Sequence, residues 1–454
     1  MIELLCEGRD PLKLREKDHR GGNYVSRARF LPGGGELTSP VARDLLRVGE
    51  AAFLADRSFR RDLDLGKRTR RLTVILPVEE PERWEAVEKQ VVRFAEFASQ
   101  DVWRFEFRPL KRASKRKVKP LDLFPPDANA SVSLFSNGLD SLCGAAAALR
   151  RGETPVFVSH SPPGVEYVQR KVEALQNALG FASVQPLFFN VYFRADDRDA
   201  QGRRNMFPER TRRTRPVLFL SMAGAAALEL GIPKIVLNEN GVLAINLPVN
   251  TDQHGPQASR HAHPETLRRF EALLRSLWPF NSQPEVRNPF SHETKAEEIR
   301  HLDGAGALGA QTISCQYAGQ QMAVLINWLK KGGKPHAAAR ECGLCFPCLI
   351  RRSAMEVAGV KEPEGHYVFD ARVALHSPEA YAGAPLYQSV ARLVRRLNEF
   401  SEKMAAIEPN EFVLDYLYEL SLLPSSPEDI GLSARDAYSL HRRFADQIIR
   451  YINA

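Results

Sequence analysis

From Ser131 onward the chain alternates short apolar runs with helical stretches, and no other feature restricts its fold as much. Ser131–Ser136 reads as a short buried strand and Leu139–Arg150 as the helix after it. Thr154–Ser159, Val165–Leu179, Val184–Val191, Arg215–Leu230 and Lys234–Asn238 continue the series as strand, helix, strand, helix and strand. Alternation of this kind pairs the strands in parallel and covers both sheet faces with helices. Such sheets bind ligands beyond the carboxyl ends of their strands, so the loops after these strands are where chemistry is sought.

At 454 residues the chain is too long for one compact core. Three units are expected. Residues 1–125 form a small basic α+β unit, with strands over Leu72–Val78 and Trp103–Arg108 and a helix from Pro81 to about Ala98. Residues 126–359 hold the parallel sheet, and residues 360–454 are helical, with apolar spacing over Tyr387–Met404 and Ala434–Ile452. Residues 1–120 carry 27 Lys and Arg against 19 Asp and Glu, the whole of the chain's net charge of +8. The run from Lys111 to Lys119 is its densest part and reads as a solvated linker, with nucleic-acid contact as the alternative. Partner protein recognition is the other use open to the first unit.

No run approaches the roughly 20 apolar residues of a membrane span. The nearest, Pro216–Leu230, is too short and reads as a buried helix. The amino terminus has acidic residues and no apolar signal core, so a cytoplasmic location is expected.

The first strand of the alternation ends in Phe135-Ser136-Asn137-Gly138-Leu139-Asp140-Ser141. Small residues at a strand–helix junction let backbone N–H groups approach phosphate oxygens, and the helix start favours negative charge. Ser136 and Ser141 can donate to phosphate. Asp140 would repel a bare phosphate, which implies a bridging Mg²⁺ or a structural contact.

Cys342, Cys345 and Cys348 stand at C-x-x-C-x-x-C spacing around Gly343 and Pro347, and Cys315 is the natural fourth ligand. Four thiolates suit a closed tetrahedral Zn²⁺ site of structural role; an iron–sulfur cluster is the competing reading. Cys143 reads as a core residue.

Together these motifs resemble the QueC family, the 7-cyano-7-deazaguanine synthases, over roughly residues 130–360. Ser136–Ser141 is similar to the PP-loop S-G-G-x-D-S of the N-type ATP pyrophosphatases, with Asn137 where the family usually has Gly. The lone Cys315 before Cys342-Gly343-Leu344-Cys345-Phe346-Pro347-Cys348 is similar to the family's zinc ligands. Thr294-Lys295-Ala296-Glu297 resembles its T-K-A-E segment; Thr294 and Glu297 also make a capping-box pair that sets Lys295 at a helix start. The resemblance implies a Rossmann-like, adenine nucleotide alpha hydrolase-like PP-loop domain with a zinc subdomain, using ATP, Mg²⁺ and Zn²⁺.

On that basis Asp140, Lys295 and Arg215 are the candidate catalytic residues, Arg215 closing a segment with six arginines from Arg203 onward. Ser136, Asn137, Gly138, Leu139, Asp140, Ser141, Ser159 and His160 are the expected ATP contacts. Asn238, Glu239, Asn240 and Arg260 are the expected substrate contacts, with His261 and His263 in the same specificity loop. The chain departs from the family at Ser159–Gly164, where QueC reads D-Y-G-Q-R-H, and in its appended ends. That pattern looks like the larger QueC-like proteins of anti-phage defence, such as QatC. The implied reaction is adenylation of 7-carboxy-7-deazaguanine, pyrophosphate release and capture by ammonia or a partner's amine. A tRNA-modifying PP-loop enzyme and a non-catalytic nucleotide-binding component are the alternatives.

Overall fold

The computed structural model describes residues 1–15, 23–61, 69–110, 129–136, 138–160, 166–196, 209, 211–248, 259–317, 320–333, 338–385, 387–424 and 432–453. The basic run 111–119 and Asn137 lie outside these residues, as do Arg203, Arg204 and Arg210.

Residues 1–110 supply β1 (Ile2–Cys6), β2 (Leu12–Leu14), β3 (Tyr24–Leu31), α1 (Pro40–Ser58), β4 (Arg71–Val78), α2 (Pro81–Ser99) and β5 (Val102–Pro109). The strands and helix expected over 72–78, 81–98 and 103–108 are there. β4 and β5 run parallel across the connecting α2, in a four-stranded sheet of order β2-β1-β4-β5. Four elements before residue 60 were not read from the sequence. One of them, β3, leaves the first sheet and pairs antiparallel with a strand of the second.

The alternating segment gives β6 (Ala130–Leu134), α3 (Leu139–Arg150), β7 (Thr154–His160), α4 (Glu166–Leu179), β8 (Leu187–Ala195), α5 (Arg215–Leu230) and β9 (Lys234–Val236). These are followed by α6 (Gly241–Ile245), α7 (Pro264–Leu277) and β10 (Glu285–Arg287). The six-stranded sheet has order β10-β9-β6-β7-β8-β3, and all neighbours except β8 and β3 are parallel. β8 starts later than the expected Val184. Gln176 donates to the carbonyls of Phe181 and Val184 at 3.3 and 2.7 Å, closing a turn before the strand.

One apolar core runs through both sheets, from Leu4, Val74 and Phe105 to Val132, Val156 and Ile235. The expected unit of residues 1–125 therefore shares its interior with the parallel sheet. A buried charge network reinforces the join. Asp56 on α1 accepts from Thr214 N and Oγ1 at 3.2 and 2.8 Å, just before α5, and meets both Arg61 and Arg70.

The rest is helical: α8 (Lys295–Ile299), α9 (Gly306–Ala310), α10 (Gln320–Lys331), α11 (Phe346–Val357), α12 (Ala371–His376), α13 (Tyr387–Ala406), α14 (Pro409–Asp415), α15 (Leu417–Ser421) and α16 (Ala434–Asn453). α16 turns Ala437, Leu440, Phe444, Ile448 and Tyr451 inward at helical spacing. They join one cluster with all four cysteines of the motif and with Val242 and Ile245 of α6. Among the described residues no helix is long and apolar enough to cross a membrane.

Candidate functional site

Because β6 and β9 are neighbours, the loops after them lie side by side at the carboxyl edge of the sheet. After β6, Ser141 Oγ accepts from Ser136 N at 3.0 Å and lies 2.9 Å from Ser136 Oγ, which in turn accepts from Gly138 N at 3.0 Å. The two hydroxyls thus hold the loop's own shape. Gly138 caps α3, which places Asp140 in the helix's first turn.

After β9, Asn240 caps α6 through Oδ1 and donates from Nδ2 to Asp140 Oδ1 at 3.1 Å. Asn288 clamps the same loop, accepting from Glu239 N at 3.3 Å and donating to Glu239 O at 2.7 Å. Gly241 occupies a place where a Cβ would lie 2.0 Å from the Ser291 carbonyl, so this turn admits glycine alone. Asn238 faces inward instead, donating to Ser133 Oγ at 3.1 Å.

The expected capping box is present: Thr294 Oγ1 accepts from Glu297 N, and Glu297 accepts from Thr294 N at 2.8 Å. It starts α8 at Lys295, whose ammonium lies 2.5 Å from Asp140 Oδ2 across 155 residues of sequence. Burial pushes the Asp140 carboxyl up, but Lys295 and the bond from Asn240 outweigh it and hold it well below the usual range. Lys295 is correspondingly raised: Asp140 and the neighbouring glutamates outweigh its own desolvation.

Two carboxyls beside this pair take the opposite course. Burial and the charge of Asp140 push Glu239 and Glu298 well above the ordinary range. Glu298 is fully buried and no N–H or hydroxyl donor reaches its oxygens, so its one hydrogen bond is the one its protonated form gives to Asp140. Sequence reasoning missed it. Its signal was the adjacency of Glu297 and Glu298, since only one of two successive helical residues can fold back to cap.

Arg215 opens α5 with its guanidinium 5.2 Å from the Phe219 ring centre. Burial and Arg212 lower it to about 10, against the attraction of Glu239. Burial, with Arg215 nearby, also keeps His160 and His261 unprotonated, His261 being lowered to about 4. His261 stands edge-on to Phe219. His160 packs on Phe193, its Nε2 buried without a partner, and Ser159 donates to Asn190. Asp140, Lys295, Glu239 and Asn240 thus meet, with Arg215 near enough to act on Glu239, His160 and His261.

One expected residue, Arg260, lies elsewhere. Arg260 stacks on Phe97, 4.4 Å from the ring centre, and donates to the Phe97 carbonyl at 2.9 Å. The two-residue turn to His263, which caps α7, directs it towards α2. Of the other arginines of the 203–215 segment, Arg213 is internal, donating to Ser99 O at 3.0 Å.

The second cluster is Cys315, Cys342, Cys345 and Cys348, whose sulfurs all lie within 4.8 Å of one another and are all buried. The separations 342–348, 345–315 and 345–348 are 3.9, 4.0 and 3.3 Å. Four ligands at about 2.3 Å around a tetrahedral Zn²⁺ stand about 3.8 Å apart, so the donor set fits that metal. Backbone N–H groups of Tyr317, Cys342 and Cys345 point at the sulfurs at 3.3–3.4 Å. Gly343 has φ +89°, and a Cβ there would lie 2.1 Å from the Phe369 carbonyl. Glu341, also missed in the sequence, accepts from Ser314 N and Cys315 N and contacts Arg351, fixing the lone cysteine's loop against the other three.

A parallel α/β sheet with a charged carboxyl edge and a separate four-cysteine cluster fits the PP-loop architecture expected from the motifs. A curated 7-cyano-7-deazaguanine synthase from Myxococcus xanthus is 28% identical over 253 residues, 51% of this chain and 95% of that protein. A second, from Thiobacillus denitrificans, is 28% identical over 149 residues, 33% of this chain and 55% of its own length. Both support a likeness to the QueC-type synthases. No protein-family model matches the chain.

Proposed function

We propose that this chain is a QueC-like enzyme that adenylates a carboxylate with ATP and passes the acyl group to a nitrogen nucleophile. The Lys295–Asp140 contact carries the reading. It joins the phosphate-loop motif to the T-K-A-E motif at the sheet edge where such folds bind ligands. The two relatives are named for 7-cyano-7-deazaguanine, which supports a 7-deazaguanine as the substrate class, with 7-carboxy-7-deazaguanine the carboxylate proposed here.

In this reading the ATP phosphates lie on the Ser136–Ser141 loop and the start of α3. A carboxylate oxygen of the substrate attacks the α-phosphorus, the α–β bridging P–O bond breaks, and pyrophosphate leaves. Lys295 and Arg215 are the cations placed to meet charge that builds on the phosphates. Mg²⁺ would neutralise the leaving pyrophosphate, and the oxygens of Asp140 and Glu239 are the hard donors that suit it. The nucleophile's nitrogen then attacks the acyl carbon, AMP departs, and the displaced proton passes to water. Ammonia would give an amide and, after a second cycle, a nitrile. An amine on a partner protein bound through residues 1–125 would give a conjugate, the outcome suited to an anti-phage setting.

The test is pyrophosphate release with 7-carboxy-7-deazaguanine, wild type against Asp140→Ala. Release should require the substrate and fall by at least about 100-fold in the variant. A folded, zinc-loaded protein that releases none, or an unaffected variant, removes the reading.

A further inference from the structure

The helical carboxyl-terminal region touches the candidate site at two points on one helix. Arg443 on α16 sends Nε to Glu297 Oε1 at 2.9 Å and Nη2 to the His292 carbonyl at 2.6 Å. Glu297 is the capping-box residue of α8; its other oxygen already holds Thr294 N. Arg443 therefore spans the turn on either side of the cap, directly before Lys295. One turn earlier Leu440, buried, lies against Gly241, where a Cβ would come within 2.7 Å of its Cδ2. Gly241 follows Asn240, the residue that holds Asp140 from the other side, and its N–H donates to Glu293 O at 2.8 Å. α16 thus braces the loop that leads into Lys295 and the loop whose Asn240 holds Asp140.

We propose that Arg443 is a positioning residue: it holds the start of α8, and with it the Lys295 ammonium, against Asp140. The consequence for catalysis rests on the reading of Lys295 given above. Arg443 is 41% exposed and Glu297 26%, and ion pairs this open add little to global stability. What a two-point clamp on a five-residue helix can fix is geometry, because α8 is too short to be stable by itself. Small displacements of a positioned charge are costly to a reaction that depends on it.

The full-length, metal-loaded protein is compared as wild type, Arg443→Ala, Arg443→Lys and Arg450→Ala, the last an exposed residue further along α16. Amide exchange over residues 294–299 should quicken by about tenfold or more in Arg443→Ala, while the melting temperature stays close to wild type. Pyrophosphate release should lose about tenfold in kcat with the KM for ATP within about twofold, and Arg443→Lys should recover part of both effects. Arg450→Ala should match wild type in each. Unchanged exchange over 294–299 overturns the proposal whatever the activity, as does faster exchange with unaltered kcat in an active enzyme. If the wild type itself releases no pyrophosphate, the adenylation reading fails separately, and the exchange data alone decide whether α16 holds the start of α8.

Discussion

Replacing Glu298 by glutamine should make the protein more stable at neutral pH, although the residue sits at the centre of the site. Its carboxyl is fully buried and faces Asp140, and burial, the Asp140 charge and the hydrogen bond to Asp140 all favour its protonated form in the folded protein. In the unfolded chain the same group ionises near pH 4.3. A raised folded pKa contributes stability that is complete below the unfolded value and is lost as pH rises towards the folded one. Each unit of pH in that interval weakens folding by roughly tenfold in the equilibrium constant.

Between pH 7 and 8 the comparison with Glu298→Gln isolates this effect, because Glu239, raised in the same sense, acts in both proteins. His261, His263 and His441 are lowered to about 4, 3 and 4 by burial, so they oppose folding only below about pH 6.5. Lys171, lowered to about 8 by burial, begins to act above that pH. Asp140 is ionised in both states throughout. Urea unfolding of wild type and Glu298→Gln at several pH values in this range should show different slopes, the variant losing less stability as pH rises. Equal slopes, or a variant less stable at pH 8, would refute the protonated state assigned to Glu298.

Three further outcomes follow from other contacts. Asp56→Ala should cost about 3 kcal/mol in urea unfolding, since it removes one of the two buried carboxylates that Arg61 and Arg70 share, leaving Asp101 for both and Glu209 for Arg61, and takes the acceptor from Thr214. Elemental analysis should find zinc on the four-cysteine cluster, and Cys345→Ser should lose it, together with the thermal stability of the helices that share its core. Gly343→Ala, with a methyl forced towards the Phe369 carbonyl, should destabilise by about 2 kcal/mol or more and weaken metal retention measured by chelator competition.

Local signals carried much of the architecture. The helix over 215–230 and the start of that over 139–150 coincide with expectation, because apolar runs bounded by Thr214 and Gly231, or by the phosphate loop, leave little choice of limits. β3 shows where such reading stops. Tyr24–Leu31 alternates weakly, and only its pairing with β8, more than 150 positions away, makes it a strand of the second sheet. Arg260 failed for a related reason: a cation in a loop near a ligand motif reads as a substrate contact, but packing against Phe97 lies in α2 and carries no trace in the local sequence.

The same asymmetry explains the site. Asp140, Lys295 and the cysteines belong to compact motifs whose spacing has a chemical reason, so they could be found one motif at a time. What joins them could not, and Asn240, named from the sequence as a substrate contact, was not read as the partner of Asp140. Asn240, Glu298 and Arg443 act on residues 100, 158 and 146 positions away or nearly so, each through contacts that exist only once the sheet edge, α8 and α16 have met. Residues of that kind determine which protonation states the motif residues hold and where they point. In this chain α16, which no catalytic motif marks, therefore touches both the segment that leads into Lys295 and the loop that holds Asp140.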